Sequence, residues 1–310
     1  MKNIITALIF ILLSSPAFAN EKEINIALWE LPFNVPAMYA ASNNIYTEAF
    51  KGKYKVNYIK LPSGPKLIQA MASGRLDIAE GIGAAAATAA QANGAKITII
   101  GANSRSPKAF AVMTNNPSIK STKDLKGKKT AGTRGSVVHQ LFCELLEENN
   151  MQESDVEFFP MQVSAAASAL LAHRVDAALL VGTEITRAKN GGATVLSDGT
   201  GYISGLSLIV ARNEFLEENP DIVRKYLEIR NNIVSEIKTN PSNYAELIQK
   251  KTSIPLKEIT HQMELYDFSA RLTEKDIVDL KKTFNYLKKQ DLVKVQSLNY
   301  AIIRIQNLSK

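Results

Sequence analysis

The feature that most constrains this chain is the stretch Lys129-Thr-Ala-Gly-Thr-Arg-Gly-Ser-Val-Val-His-Gln-Leu-Phe-Cys-Glu-Leu-Leu146. It predicts a short strand, a glycine turn and the first turns of a helix. Gly132 and Gly135 bracket Thr133 and Arg134, which lets the backbone fold sharply. Ser136 is placed as an N-cap. Behind it Val138, Leu141, Phe142, Leu145 and Leu146 recur at the spacing of one helix face. A helix start behind such a turn presents free N–H groups and the positive end of a dipole, which together form a seat for an anion. Arg134 and His139 stand ready as further donors.

The same plan repeats along the chain. Ile24 to Leu28 alternates as a strand, and Trp29 to Pro36 is a proline-punctuated loop before a helix from Met38 to Phe50. Tyr54 to Lys60 is a second strand, and Lys66 to Ala72 a helix closed at Gly74. Arg75 to Ala79 reads as strand three, with Glu80-Gly-Ile-Gly83 as the turn into an alanine-rich helix. Lys96 to Ile100, Pro107 to Met113, Val156 to Phe159, Val175 to Val181 and Ala193 to Leu196 continue the strands. Such alternation argues an α/β fold with largely parallel sheets. Ala72-Ser-Gly-Arg-Leu-Asp-Ile-Ala79 and Ala172-His-Arg-Val-Asp-Ala-Ala178 echo one another, which predicts two lobes on one plan, each turning a strand end toward a shared cleft. Beyond Asn213 the pattern is amphipathic helix, read as a cover for the first lobe.

At the N-terminus Lys2, the apolar run Ile4 to Leu13 and Ala17-Phe-Ala19 form a secretory leader, with cleavage expected after Ala19. The remaining length suits two domains. The net charge of +7 comes from 37 basic and 30 acidic residues. Lysines scattered among glutamates, without interleaved aromatics, read as a solvated surface and not as a nucleic-acid platform. Cys143 is the single cysteine, so no internal disulfide forms. It reads as a half-buried thiol. His139, His173 and His261 show no metal-ligand spacing, and neither a metal nor a cofactor is expected.

Several segments at matching spacing resemble the periplasmic binding proteins for alkanesulfonate, taurine and nitrate, a group that includes thiamine-precursor binders. They are Leu61-Pro-Ser-Gly-Pro-Lys-Leu-Ile-Gln-Ala70, Ala72 to Ala79, Ile119-Lys-Ser-Thr-Lys-Asp-Leu-Lys-Gly-Lys-Lys129, Gly135-Ser-Val-Val-His139 and Leu196-Ser-Asp-Gly-Thr-Gly201. The resemblance implies a type II two-lobed fold with two crossover strands, residues 20–112 and 205–310 forming lobe one and 113–204 lobe two. It also implies a monomer that takes a small-molecule ligand between the lobes, closes by hinge motion and delivers to an ABC permease in the inner membrane.

Carried over position by position, the cleft turns fall on Trp29 and Glu30, Glu80 to Ala84 (with Gly81 and Gly83), Gly135 to His139 (with Ser136 and Val137) and Val181 to Glu184 (with Thr183). Phe33, Asn34, Arg134 and Tyr202 complete the candidate site. The sequence departs from the sulfonate pattern where family hydroxyls give way to Gly83 and Val137. It offers instead Trp29, Glu30, Glu80 and Glu184, a set suited to an amine, a zwitterion or a polar heterocycle as much as to a sulfonate. Two alternatives remain: an enzyme on the same scaffold, for which His139 with Glu184 is the one available pair, and an exported sensor partner of a membrane receptor.

Overall fold

The computed structural model describes residues 22–29, 34–61, 64–251 and 255–302, so the leader expected from the sequence lies outside the described residues. In chain order the elements are β1 (Lys22–Ala27), α1 (Val35–Ser42), α2 (Ile45–Phe50), β2 (Tyr54–Ile59), α3 (Gly64–Ala72), β3 (Ile78–Gly83), α4 (Ala84–Ala92) and β4 (Ile97–Ser104). Next come β5 (Phe110–Thr114), β6 (Lys129–Gly132), α5 (Val137–Glu148), β7 (Glu157–Pro160), α6 (Val163–Leu171), β8 (Ala177–Val181), α7 (Thr183–Asn190) and β9 (Thr194–Asp198). The chain ends with β10 (Ser207–Arg212), α8 (Asn213–Glu218), α9 (Pro220–Thr239), α10 (Pro241–Lys251), α11 (Leu256–Leu265) and α12 (Glu274–Lys289). Among the described residues no helix is long and apolar enough to cross a membrane.

Two five-stranded sheets organise these elements, ordered β2-β1-β3-β10-β4 and β7-β6-β8-β5-β9. In each, the strand arriving from the other lobe runs against the rest: β10 is antiparallel to β3 and β4, and β5 to β8 and β9. The sheets are therefore mostly parallel, with the reversed strand marking each crossover. The two crossover segments lie against one another, Gly199 N–H donating to the carbonyl oxygens of Pro107 and Phe110.

The sequence echo has a structural meaning. Gly74 and His173 both take left-handed backbone (φ 71 and 53) and end α3 and α6. Just beyond them Asp77 and Asp176 sit at the entry of the central strands and staple their neighbours. Asp77 accepts from Asn25 N–H at 2.8 Å and pairs with Arg212 at 2.7 Å. Asp176 accepts from Lys129 N–H and from Asn116 Nδ2, each at 3.0 Å. A carboxylate there satisfies strand-end N–H groups that the parallel ladder leaves over.

Several boundaries differ from the sequence reading: the helix expected from Met38 to Phe50 is two, α1 and α2, broken at Asn44 (φ 55), and Pro107–Ala109 is a 3-10 turn ahead of β5. One of the differences moves a candidate site residue. Strand three is not Arg75 to Ala79 with a turn after it. β3 continues to Gly83, because Gly81 (φ 84) is left over between Glu80, paired with Ile209, and Ile82, paired with Leu208. This is a bulge that only a residue tolerant of positive φ absorbs.

The helices beyond β10 partly match expectation. Val223, Tyr226, Leu227, Ile233, Val234 and Ile237 of α9 bury one face on the first sheet. α12 behaves otherwise. It packs on α4 and also bonds to α5 of the second lobe, through Thr283 to Gln140 at 2.9 Å and Lys289 to Glu147 at 2.9 Å. Arg105, on the outgoing crossover, grips Asp276 at the start of α12 with two 2.7 Å bonds. The last long helix thus straps both lobes and does not cover one alone.

Candidate functional site

Parallel strands deliver their carboxyl ends, and the helix starts that follow, to one side of each sheet. Here α4 begins directly at the end of β3, and α5 after the four-residue turn Thr133 to Ser136 that follows β6. The two helix starts meet at the junction of the lobes. A Cβ built on Gly83 would lie 3.9 Å from Val137 Cγ2, and Ala85 packs into the apolar core of the second lobe. Ser136 caps α5 as its sequence position predicts, its Oγ accepting from His139 N–H at 3.3 Å. Of the orphan N–H groups at the start of α4, that of Ala84 is taken by the Leu206 carbonyl. Helix geometry then leaves the N–H groups of Ala85 and Ala86, and those of Val137 and Val138, without intrahelical partners.

A small cavity of about 10 Å³ lies beside these starts, lined by Ala84, Val137, Gln140, Tyr202, Asp279 and Thr283 together with the returning crossover. Space of that size holds about one water-sized group. The structure thus brings Gly83, Ala84, Val137 and Tyr202 of the predicted set together. Trp29, at the end of β1, packs on the apolar cluster that contains Ala84. Asn34 is fully buried beside it, donating from Nδ2 to the Trp29 carbonyl at 3.2 Å. Glu30 and Phe33 lie outside the described residues.

Other predicted residues are placed elsewhere. Glu80 does not face a cleft. It is fully buried in lobe one, where it accepts from the Tyr226 hydroxyl and from Arg230 Nε at 3.3 Å. The bulge at Gly81 makes the difference, since one extra residue turns Glu80 inward under α9. Glu184, beside Thr183 at the start of α7, is paired with Arg187 at 3.0 Å, one helical turn on. Arg134 is held by Glu153 and lies over the Phe158 ring at 5.1 Å.

His139 is fully buried behind the turn and is not a donor to a cleft. Its Nε2 lies 2.6 Å from Glu153 Oε2 and its Nδ1 2.5 Å from the Tyr286 hydroxyl on α12. The catalytic pair suggested by sequence is absent in this form, because His139 finds Glu153 and not Glu184. Cys143 and Glu153 complete a cluster whose ligand atoms lie within 4.8 Å of one another. Both imidazole nitrogens are engaged, and burial, with the nearby Glu153 and Glu147, pushes the thiol up to about 12, opposite to what thiolate ligation needs. The donor set is poor for a metal, and the half-buried thiol of the sequence reading is in fact buried.

Burial holds the His139 imidazole below its ordinary 6.5, against the pull of Glu153. Above that pH the imidazole is neutral in both states and contributes no linkage. Below it the unfolded chain takes up a proton that the folded chain refuses, so stability falls as pH drops. The expected result is a urea midpoint that declines between pH 7 and 5 less steeply in His139→Gln than in the unaltered protein. Equal slopes would contradict it.

Sequence reasoning missed Gln140, Asp279 and Thr283. The stripe of Leu280, Phe284 and Leu287 located α12, but no pattern in it signals that its flanking polar residues reach the other lobe.

Comparison with known proteins fits this architecture. The family model described as NMT1/THI5 like matches residues 43–243. A protein of Bacillus subtilis (strain 168) named for aliphatic sulfonates binding is 29% identical over 277 residues, covering 79% of this chain and 82% of its own. The crystal structure of the periplasmic aliphatic sulphonate binding protein SsuA from Escherichia coli superposes with a TM-score of 0.80 at 21% identity, covering 89% of this chain and 94% of that one. The alkanesulfonate-binding protein SsuA from Xanthomonas axonopodis pv. citri bound to MOPS gives 0.79 at 20%, covering 91% and 98%. At such identities the structural likeness speaks for the fold.

Proposed function

The chain belongs to the NMT1/THI5-like family, and from that membership we propose that it is the periplasmic substrate-binding component of an ABC-type importer, capturing an organic sulfonate or a closely similar organic anion between its lobes. The observation that carries the ligand class is the meeting of the α4 and α5 starts across the junction. Two helix N-termini lie side by side there, each offering first-turn N–H donors and the positive end of a dipole. Trp29 supplies an apolar wall for the organic part. The case for a ligand held by cleft carboxylates weakens in the same step, since Glu80 is satisfied internally and Glu184 has its own arginine. Relatives named for sulfonate binding agree with the anion reading.

In this account the leader directs export, with cleavage after Ala19, and the mature chain acts as a monomer. Residues 113–204 form lobe two and the rest lobe one. Ligand entry requires the lobes to part, and closure on the ligand presents the form that the permease reads. The one pair that the sequence offered for an enzyme, His139 with Glu184, is not formed, since His139 meets Glu153 instead.

A thermal-shift panel of alkanesulfonates, nitrate, amines and heterocycles tests the proposal. A ligand that binds only the folded state adds about 2.7 kcal/mol of stability at a hundredfold excess over Kd. The expected outcome is a marked rise with at least one sulfonate and none with simple amines. A rise confined to amines or neutral heterocycles would overturn the ligand class.

A further inference from the structure

Tyr286 reaches from α12, which packs on α4 of lobe one, to the turn that opens α5 in lobe two. Its hydroxyl lies 2.5 Å from His139 Nδ1, and both rings are buried. The direction of that bond follows from the other ring nitrogen. His139 Nε2 stands 2.6 Å from a Glu153 carboxylate oxygen, which can only accept, so the one proton of the neutral imidazole sits on Nε2. Nδ1 then carries the lone pair, and the Tyr286 O–H donates to it. Burial, and then the nearby Cys143, push the phenol up, which keeps it a donor, while the Gly135 N–H faces its oxygen and pulls the other way.

The chain just beyond α12 closes the turn from another side. A Cβ built on Gly135 would lie 2.9 Å from Leu292 Cδ1, at a position whose φ of 76 already favours glycine. Gln290 Nε2 donates to Cys143 Sγ at 3.5 Å, and Phe284, Tyr286, Leu287 and Val293 share one apolar cluster with that cysteine. The first turn of α5 is thus held from within by the Ser136 cap and from outside by Tyr286 and Leu292. We propose that Tyr286 is a positioning residue for the ligand seat: without touching the ligand it fixes His139 and, with Leu292, the turn from Gly132 to Ser136, so that the N–H groups of Val137 and Val138 are set in place before an anion arrives. Because Tyr286 comes from the strap and not from lobe two, the seat on lobe two is complete only while α12 is docked. The inference rests on the start of α5 being part of the ligand seat, as argued above.

Calorimetry with ethanesulfonate, read together with amide hydrogen exchange of the ligand-free proteins, tests this. Tyr286→Phe keeps the ring and removes the hydroxyl. Lys289→Ala is the control, since it cuts another bond between α12 and α5, an exposed one to Glu147 at the far end of α5. Tyr286→Phe should bind ethanesulfonate about threefold to tenfold more weakly, the worth of one hydrogen bond. Its exchange should rise in the stretch from Gly132 to Phe142 and not across the rest of lobe two. Lys289→Ala should change neither readout. Should Tyr286→Phe fail to fold, Leu292→Ala carries the same test, because it loosens the same turn at a half-exposed position. Unchanged affinity, no local rise in exchange, a rise spread evenly over the protein, or an equal loss in Lys289→Ala overturns the positioning role and leaves the sulfonate reading intact. Failure of the unaltered protein to bind ethanesulfonate or any other sulfonate overturns the reading of the junction itself, and this inference with it.

Discussion

Replacing Arg230 by alanine is expected to destabilise the protein by about 3–5 kcal/mol, the usual cost of leaving half of a buried ion pair behind. Arg230 is fully buried on α9 and makes four contacts that join separate parts of lobe one. Its Nε lies 3.3 Å from Glu80 Oε2, and one terminal nitrogen donates to the Phe268 carbonyl at 2.9 Å. The other donates to the Asn103 carbonyl at 2.6 Å and to its side-chain oxygen at 3.1 Å. Truncation would strand the Glu80 carboxylate in an apolar interior with only the Tyr226 hydroxyl as partner, and would orphan two carbonyls. Glu80→Gln also leaves a buried charge, that of Arg230, but should cost less, since the guanidinium keeps its oxygen acceptors on Phe268 and Asn103 and the amide still reaches Tyr226. Urea unfolding of Arg230→Ala, Glu80→Gln and the double variant checks this, with the double costing less than the sum. A loss below about 1 kcal/mol for Arg230→Ala would mean that the pair is not closed as described.

Gly205→Ala is expected to cost about 2–5 kcal/mol, combining left-handed backbone with overpacking. Gly205 has φ 63, and an added Cβ would come within 2.3 Å of the Ser106 carbonyl oxygen and 2.7 Å of the Phe110 ring. Ser106 and Phe110 belong to the outgoing crossover and Gly205 to the returning one, so relief requires the two connections to separate. Because Gly205 also borders the junction cavity, the variant should weaken ligand binding as well as lower the urea midpoint. A midpoint within the error of the unaltered protein would show that the crossovers have slack that the distances deny.

These two positions also mark what the sequence could and could not reveal. The fold was legible because its signals are local: the period-2 and period-3.6 runs, Gly74 as a terminator, Ser136 as a cap, and the twin Asp77 and Asp176 segments. Each of these works within a few residues of chain. Glu80 was misplaced because a single bulge at Gly81 decides which way it points, and nothing in the string Glu80-Gly-Ile-Gly83 separates a turn from a bulged strand. Arg134 and His139 looked free because their partners, Glu153 and Tyr286, come from segments that periodicity cannot bring together. Asp279 was invisible for the same reason. Its place at the junction cavity depends on α12 crossing to the second lobe, a tertiary choice made by Thr283, Lys289 and Arg105 and not by the helix pattern itself.

The most direct test of the central claim uses Gly83, the N-cap of α4, whose backbone (φ −59) suits any residue and where a Cβ meets nothing closer than Val137 at 3.9 Å. Gly83→Ser adds a hydroxyl donor at the proposed anion seat with little steric cost. Calorimetric titration of both proteins with an alkanesulfonate that the panel identifies should show tighter binding by Gly83→Ser, about two- to tenfold, the worth of one added hydrogen bond. Unchanged affinity would place the anion away from the start of α4, and binding of no sulfonate by either protein would contradict the account as a whole.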